Sequence, residues 1–319
     1  MKQLTISRAK QLLEAGEVVV MPTETVYGLA ANIYSEMAIR KVFDLKKRPY
    51  TNPLIVHIKS IKNLTDIAQN IPTVAYQLAE KFWPGPLTQV LEKRDTVSDL
   101  ITANGRSVAV RIPNHPVALE LLNSIGFPLA APSANPFNYL SPTSAEDVVK
   151  CFPTLASVIL DGGRCQNGIE STVIGHKKDG IHLFRYGSIT KEEIEETIGQ
   201  NLIVDSKPNE TLESPGMLSK HYSPKSKLIL TKDILNTVSQ ISLERIGVLS
   251  FKQVYLHPKI KVTKVLSTSG DMHEAAHNFF ESLHRLDELG LECIIAELLP
   301  NEGLGIAIND RLYRGASKF

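Results

Sequence analysis

The run Val18-Val19-Val20-Met21, followed at once by Pro22-Thr23-Glu24-Thr25-Val26-Tyr27-Gly28-Leu29, decides how the chain is read. Four consecutive apolar residues after Gly16 predict a buried strand. The polar stretch behind it places two threonines where an open α/β sheet binds ligands, beyond the carboxyl ends of its strands. The same residues would also make an ordinary polar turn that caps a helix. Upstream, Ala9, Leu12 and Leu13 stand at helical spacing and predict a helix that stops at Gly16. Downstream, Ser35 is placed to cap a helix whose apolar stripe is Ile39, Val42 and Phe43. Residues 54–58 read as the next strand, followed by helical pattern up to Trp83. Further strands are expected at 108–112, 128–131, 158–160, 172–174 and 181–184, the last two flanking Lys177-Lys178-Asp179-Gly180 as a hairpin. Strands joined in both styles predict a twisted, mixed α/β sheet.

The pattern changes near residue 200. From Asp205 to Pro224 the chain is rich in Ser, Lys, Pro, Asn, Glu and Gly and lacks periodicity, which reads as a linker. Order returns with strands expected at 228–230, 246–250, 262–266 and 293–298. Between them lie a helix from about Ile234 and a long amphipathic one with the stripe Ala275, Ala276, Phe279, Phe280, Leu283 and Leu286. This alternation predicts a smaller, doubly wound, Rossmann-like α/β domain. The expected division is 1–204, a linker at 205–227, and 228–319.

The 319 residues leave ample chain for two hydrophobic cores, and 43% hydrophobic against 22% charged residues excludes a disordered chain. Thirty-five Lys+Arg balance 34 Asp+Glu to a net charge of +1, which argues against bulk electrostatic capture of nucleic acid or anionic membrane. Cys151, Cys165 and Cys293 are widely spaced, fit neither a disulfide framework nor a Cys-rich zinc site, and suit a reducing compartment. The sequence has no signal-peptide core, and no apolar run approaches the roughly 18 residues of a membrane span. A soluble, cytoplasmic protein is expected.

Several short segments carry candidate chemistry. Lys46-Lys47-Arg48-Pro49 leads into Asn52-Pro53 and then His57. Three cations before a proline are usually a solvated helix end, favoured by the helix dipole, but they would also clamp a triphosphate. In Ser107-Val108-Ala109-Val110-Arg111, alternation puts Val108 and Val110 on one face and Ala109 and Arg111 on the other. Arg111 is then either edge-exposed or a carboxylate anchor. Pro132-Ser133-Ala134-Asn135-Pro136 makes a rigid turn of small polar groups, and Ser141-Pro142-Thr143 is expected to cap the next helix. Asp161-Gly162-Gly163, Gly168-Ile169-Glu170-Ser171-Thr172 and Arg185-Tyr186-Gly187 follow. No P-loop, zinc-type His spacing or nucleophile elbow is present.

Taken together these segments resemble the YrdC-type threonylcarbamoyl-AMP synthase family. The matching parts are Pro-Thr-Glu-Thr-Val-Tyr-Gly, Lys46 and Arg48 as Lys-x-Arg, and Ser133 and Asn135 as Ser-x-Asn. Asn52-Pro53-Leu54, Trp83-Pro84-Gly85-Pro86-Leu87-Thr88 and Glu170-Ser171-Thr172 also match. Ser214-Pro215-Gly216-Met217 and His221-Tyr222-Ser223-Pro224 look like the linker of the long, two-domain form. The resemblance implies a nucleotidyltransferase that joins L-threonine, bicarbonate or carbon dioxide, and ATP into threonylcarbamoyl-AMP and pyrophosphate. The product would feed threonylcarbamoyladenosine formation in tRNA. Such chemistry needs positioning and charge stabilisation rather than a protein nucleophile.

By matching position, Arg48, Asn52, Ser107, Ser133, Asn135, Ser141 and Arg185 would contact ATP, and Lys46 and Arg48 would act on the phosphates. Thr25, His57, Arg111, Ala131 and Ser171 would surround threonine, with Ala131 offering backbone groups only. Mg2+ would arrive with ATP, held mainly by the phosphates. A polar linker that contains the pair His221-Tyr222 predicts a lid folded over the nucleotide, with both side chains in contact with it. The product would pass to a tRNA threonylcarbamoyl-transfer complex, with at most a weak RNA contact by this chain and none with membrane. Two other classes compete: a double-stranded RNA-binding module, opposed by the near-neutral charge, and a carbamoyl-adenylate enzyme of the hydrogenase-maturation type, opposed by the lack of a Cys-rich region.

Overall fold

The computed structural model describes residues 4–204 and 220–316. These fall into two compact units. The first takes the chain up to Phe137, Pro142–Gln166, and the chain from Glu170 through residue 204; the second takes Asn138–Ser141, Asn167–Ile169 and the chain from residue 220 onward. The Ser214-Pro215-Gly216-Met217 run lies outside the described residues.

In the first unit the elements are α1 (Ile6–Glu14), β1 (Val19–Met21), β2 (Gly28–Asn32), α2 (Glu36–Lys46), β3 (Ile55–His57), α3 (Leu64–Ile67), α4 (Thr73–Phe82), β4 (Leu87–Glu92), α5 (Asp99–Thr102), β5 (Ser107–Arg111), α6 (Pro116–Ser124), β6 (Leu129–Ala130), α7 (Ala145–Cys151), β7 (Thr172–Lys177), β8 (Gly180–Arg185), α8 (Lys191–Ile198) and β9 (Ile203–Val204). The sheet runs β1-β2-β6-β3-β5-β4-β7-β8-β9. It is mixed: β3 lies parallel to β5 and β4 to β7, whereas β4 and β5 are antiparallel, as are β7 and β8.

Period-2 alternation divides this sheet into two unlike faces. On one, Val20, Leu29, Val56, Val108, Val110 and Ile174 pack with residues of α2 and α4 in a single continuous core. On the other, α1 and α6 cover only the end built from β1, β2 and β6, through Val19, Met21, Ala30 and Leu129. The middle of that second face carries a cluster made of strand residues alone: Ile55, Val90, Ala109, Val173 and Phe184.

Ser35 caps α2 as expected, its hydroxyl accepting from the Ala38 N–H, and Lys47 ends the helix in a left-handed conformation. Two local expectations are corrected. Residues 158–160 form no strand: Pro153–Val158 is a 3-10 turn, and only a single bridge joins Val20 to Ile159. The residue that caps α7 is Ser144, in a reciprocal box with Asp147, because the Asp147 carboxylate also takes the Thr143 N–H and hydroxyl. Ser141 and Thr143 are therefore not the cap.

The second unit is built on β10 (Lys227–Thr231), α9 (Ile234–Gln240), β11 (Ile246–Ser250), β12 (Ile260–Val265), α10 (Met272–Asp287), β13 (Cys293–Glu297) and α11 (Leu304–Ala316). Its sheet, ordered β10-β13-β11-β12, is wholly parallel. Helix α9 packs Ile234 and Val238 on Ile246, Val248, Cys293 and Ile295. The opposite face meets α10, for which Gly247 makes room: a Cβ there would stand 3.0 Å from Leu286. Helices on both faces make the unit doubly wound. No helix among the described residues is long and apolar enough to cross a membrane.

Candidate active site

In the helix-free middle of the first unit's second sheet face, the strand ends carry a row of polar side chains. His57 follows Ile55 on β3 and Arg111 follows Ala109 on β5, each on the face that carries the apolar cluster; the parallel register sets His57 directly beside Arg111. On β4, Thr88 shares the face of Val90, and Ser171, just before β7, shares that of Val173. The Thr88 and Ser171 hydroxyls are hydrogen-bonded at 2.8 Å. Arg185, at the end of β8, donates to the Ser171 carbonyl and hydroxyl, both at 3.0 Å. Thus His57, Arg111, Thr88, Ser171 and Arg185 trace one polar line across an otherwise apolar floor.

The loop after β1 closes against this line. Thr23 folds it: its hydroxyl accepts from the N–H groups of Thr25 and Val26, both at 3.2 Å, and donates to the Val26 carbonyl. That side-chain turn sends Thr25 and Glu24 to Arg111, which donates to the Thr25 hydroxyl at 3.0 Å and to Glu24 Oε2 at 2.7 Å. The ion pair is sealed, with side-chain exposures of 4% and 3%. Yet Glu24 Oε1, Arg111 Nε and His57 Nδ1 are buried without a hydrogen-bond partner among the described residues. Each such group costs on the order of 1–3 kcal/mol, so three from contacting segments mark a place where a ligand completes the bonding. Burial, reinforced by the Arg111 charge, pushes the His57 pKa down to about 3. His57 is a neutral imidazole at any ordinary pH.

The cationic run is not a solvated helix end. Lys46 is fully buried, and its ammonium donates to the Ser133 carbonyl and, at 2.7 Å, to that of Asn135. Lys46 therefore pins the Ser-x-Asn turn from beneath. Burial, with Arg48 nearby, holds its pKa well below the usual lysine value. Arg48 folds back on the loop that follows, donating to Asn52 Oδ1 at 2.6 Å, the Pro53 carbonyl at 2.7 Å and the Asn52 carbonyl at 3.1 Å. Asn52 Nδ2 is buried with no partner among the described residues. The two motifs thus form a second polar cluster in which one lysine organises one turn and one arginine organises the other.

The remaining expected site residues are placed less uniformly. Ala131 spends its N–H on the Ile55 carbonyl at 3.0 Å, which leaves its carbonyl as the group to offer. Ser107 shares the face of Arg111 but begins β5, four residues and about 13 Å away along the strand, outside the polar row. Ser141, His221 and Tyr222 belong to the second unit. There Ser141 is fully buried, and Tyr222 packs against Phe280, ring centroids 5.6 Å apart, with the Arg311 guanidinium 5.5 Å from its ring. Glu24 and Thr88 join the site without having been singled out. Both lay inside segments that were, and the signal that finds them is the strand register.

No group of three or more His, Cys, Asp or Glu side chains among the described residues could hold a metal. The Glu24 carboxylate, on the loop that closes against the polar row, is engaged by Arg111.

A sheet face that helices cover only at one end, floored with apolar side chains and edged by arginines, a neutral histidine and hydroxyls, marks an α/β domain whose candidate site has the chemistry to suit small anionic molecules. Comparison with known proteins is specific. The family model described as Telomere recombination (Sua5/YciO/YrdC) matches residues 11–187, and the one described as Threonylcarbamoyl-AMP synthase, C-terminal domain, matches residues 189–317. The chain is 38% identical to the threonylcarbamoyl-AMP synthase of Pyrococcus abyssi, over 97% of this chain and 93% of that one. It is 39% identical to that of Bacillus subtilis, over 98% and 92%. The crystal structure of P. abyssi Sua5 complexed with L-threonine superposes with a TM-score of 0.90 at 35% identity, covering 99% of this chain and 96% of that one. The chain belongs to the Sua5/YciO/YrdC family, in its two-domain form with the threonylcarbamoyl-AMP synthase C-terminal domain.

Proposed function

We propose that this chain is an L-threonylcarbamoyladenylate synthase, an adenylyl-transferring enzyme that converts L-threonine, bicarbonate or carbon dioxide, and ATP to threonylcarbamoyl-AMP and pyrophosphate. The observation that carries the reading is the Thr25–Arg111–Glu24–His57 group with its three unpartnered buried atoms, in a chain similar over nearly its whole length to threonylcarbamoyl-AMP synthases. Glu24 holds the Arg111 guanidinium in place, and the unpartnered Nε edge is what Arg111 offers a substrate carboxylate. His57, neutral, contributes a hydrogen bond rather than a charge. Thr25, Ser171 and the Ala131 carbonyl supply the polar contacts that distinguish a hydroxyl-bearing side chain from its apolar isostere. Such a site rejects the isostere because its own buried groups would be left unpaired.

The threonine amine captures the carbon unit, and an oxygen of the resulting carbamate attacks the α-phosphorus as pyrophosphate leaves. No protein nucleophile is required. Arg48, Asn52, Ser133, Asn135, Ser141 and Arg185 hold the nucleotide, with Ser107, His221 and Tyr222 as further contacts, and Lys46 fixes the Ser133–Asn135 turn against the phosphates. Mg2+ belongs to the ATP substrate, carried on its phosphates. The product passes to the machinery that transfers the threonylcarbamoyl group to tRNA. The test is pyrophosphate release from ATP and bicarbonate with each amino acid in turn. Threonine-selective release supports the reading; no release with any amino acid overturns it.

A further inference from the structure

The second unit contains a short stretch that the chain supplies far ahead of the rest, Asn138–Ser141, and its contacts converge on the last turn of α10. The His284 ring lies edge-on to Tyr139, centroids 5.7 Å apart at 72°, and its Nε2 donates to the Ser141 carbonyl at 3.0 Å. A carbonyl can only accept, so this contact fixes the Nε2–H tautomer. One turn on, the Asp287 carboxylate takes the Tyr139 hydroxyl at 2.8 Å. The same carboxylate accepts from the Ser226 N–H at 2.7 Å and the Lys225 N–H at 3.1 Å, where the chain leaves the linker for β10. The Lys225 ammonium sits 5.6 Å over the Tyr139 ring, and the Ser223 N–H donates to the Asn138 carbonyl at 2.8 Å. His284 is 4% and Asp287 8% exposed.

Two side chains spaced three apart on one helix face therefore grip two separate pieces of backbone. One piece carries Ser141. The other is the exit of the segment that carries His221 and Tyr222. A helix needs neither bond for its own stability. A buried carboxylate that accepts from two backbone N–H groups and a phenol is a costly device to keep unless the placement of those groups matters.

We propose that His284 and Asp287 are positioning residues for the nucleotide: α10 fixes the Ser141 turn and the end of the linker as one piece, so that both reach ATP in register. The inference rests on the reading that Ser141 contacts the nucleotide. It gives the C-terminal domain a defined part in the reaction, through ATP and not through threonine.

The experiment uses the full chain and calorimetric titration with L-threonine and, separately, with α,β-methylene-ATP, alongside thermal unfolding. His284→Ala is expected to weaken the nucleotide about tenfold, the loss of one well-placed hydrogen bond and its consequences, and to leave threonine affinity within about twofold. His284→Gln, whose amide N–H can reach the same carbonyl, is expected to recover most of the loss, and Tyr139→Phe to weaken the nucleotide by about threefold or more. Arg285→Ala, a half-exposed neighbour on the same helix, is expected to change neither affinity. Unchanged nucleotide affinity in folded His284→Ala, or parallel weakening of both ligands without rescue by His284→Gln, overturns the inference. If His284→Ala fails to fold, Tyr139→Phe decides, and wild-type nucleotide affinity in that variant overturns it. A wild-type chain that bound neither ligand would bring down the functional reading itself, a result distinguishable from all of these.

Discussion

The two units solve the same problem, a sheet that must bury both faces, in opposite ways. In the second, helices lie on both sides of a parallel sheet, and the polar side chains that matter sit on a helix, where His284 and Asp287 grip passing backbone. In the first, helices cover one face fully and the other only at one end, so in the middle of that second face the strand ends themselves gather Arg111, His57, Thr88 and Ser171 into a buried polar row. In such an α/β chain, chemistry collects at strand ends on the face that helices cover least.

The largest expected effect follows from breaking the polar row at its centre. Arg111→Ala removes the proposed partner of the substrate carboxylate and strands Glu24 as a buried, unpaired carboxylate. Stability should fall by about 3–5 kcal/mol, read by denaturant unfolding. Threonine-dependent pyrophosphate release should fall about a thousandfold in the protein that remains folded. Arg48→Ala comes next. Removing one charge-assisted contact to a developing anion should lower turnover about a hundredfold. Because Arg48 also ties down Asn52 and Pro53, a stability loss of about 1–3 kcal/mol should accompany it. Near-normal turnover in folded Arg48→Ala would remove it from the phosphate site.

Acid should then report on the buried imidazoles. The folded chain holds His57 at about 3 and His176 at about 4, against an ordinary 6.5. Between those values the unfolded chain binds the protons and the folded one does not. The stability these groups contribute is therefore complete above about pH 6.5 and is lost as the pH falls toward the folded values, at about 1.4 kcal/mol per pH unit for each. His57→Asn should flatten that slope in urea titrations between pH 6.5 and 4.5; an unchanged slope would mean that His57 is not held neutral. The smallest effect on the site should come from the second unit's core. Phe279→Ala, at a position with no exposure, should cost about 3–5 kcal/mol in unfolding yet leave threonine affinity of the folded protein within about twofold.

Much of this was readable in the sequence wherever a residue's role follows from local pattern. The Ser35 cap, the Val108/Val110 against Ala109/Arg111 alternation, the hairpin around Asp179-Gly180 and the buried stripe of α10 all appear where spacing puts them. Strands without local signal were missed. β2 reads Gly-Leu-Ala-Ala-Asn, small residues of low strand propensity whose conformation is imposed by pairing with β1 and β6. Helix α11 was missed because buried polar residues, Asn309 and Arg311, interrupt its apolar stripe. The site follows the same rule. Thr25, His57 and Arg111 were legible as members of motifs, but that they touch, and that Glu24 and Thr88 complete them, depends on register between strands far apart in sequence. Lys46 is the clearest lesson. Three cations in a row resemble a solvated helix end, and only the folded chain shows the first of them buried beneath the Ser133–Asn135 turn.

The most direct test of the account is to supply isotopically heavy bicarbonate with ATP and L-threonine and to analyse the nucleotides by mass spectrometry. Expected is a heavy threonylcarbamoyl adenylate that forms with pyrophosphate, requires threonine, is not replaced by a valine adduct, and all but disappears in Arg111→Ala. Pyrophosphate release with no heavy adenylate, or an adduct formed as readily from valine as from threonine, would contradict it.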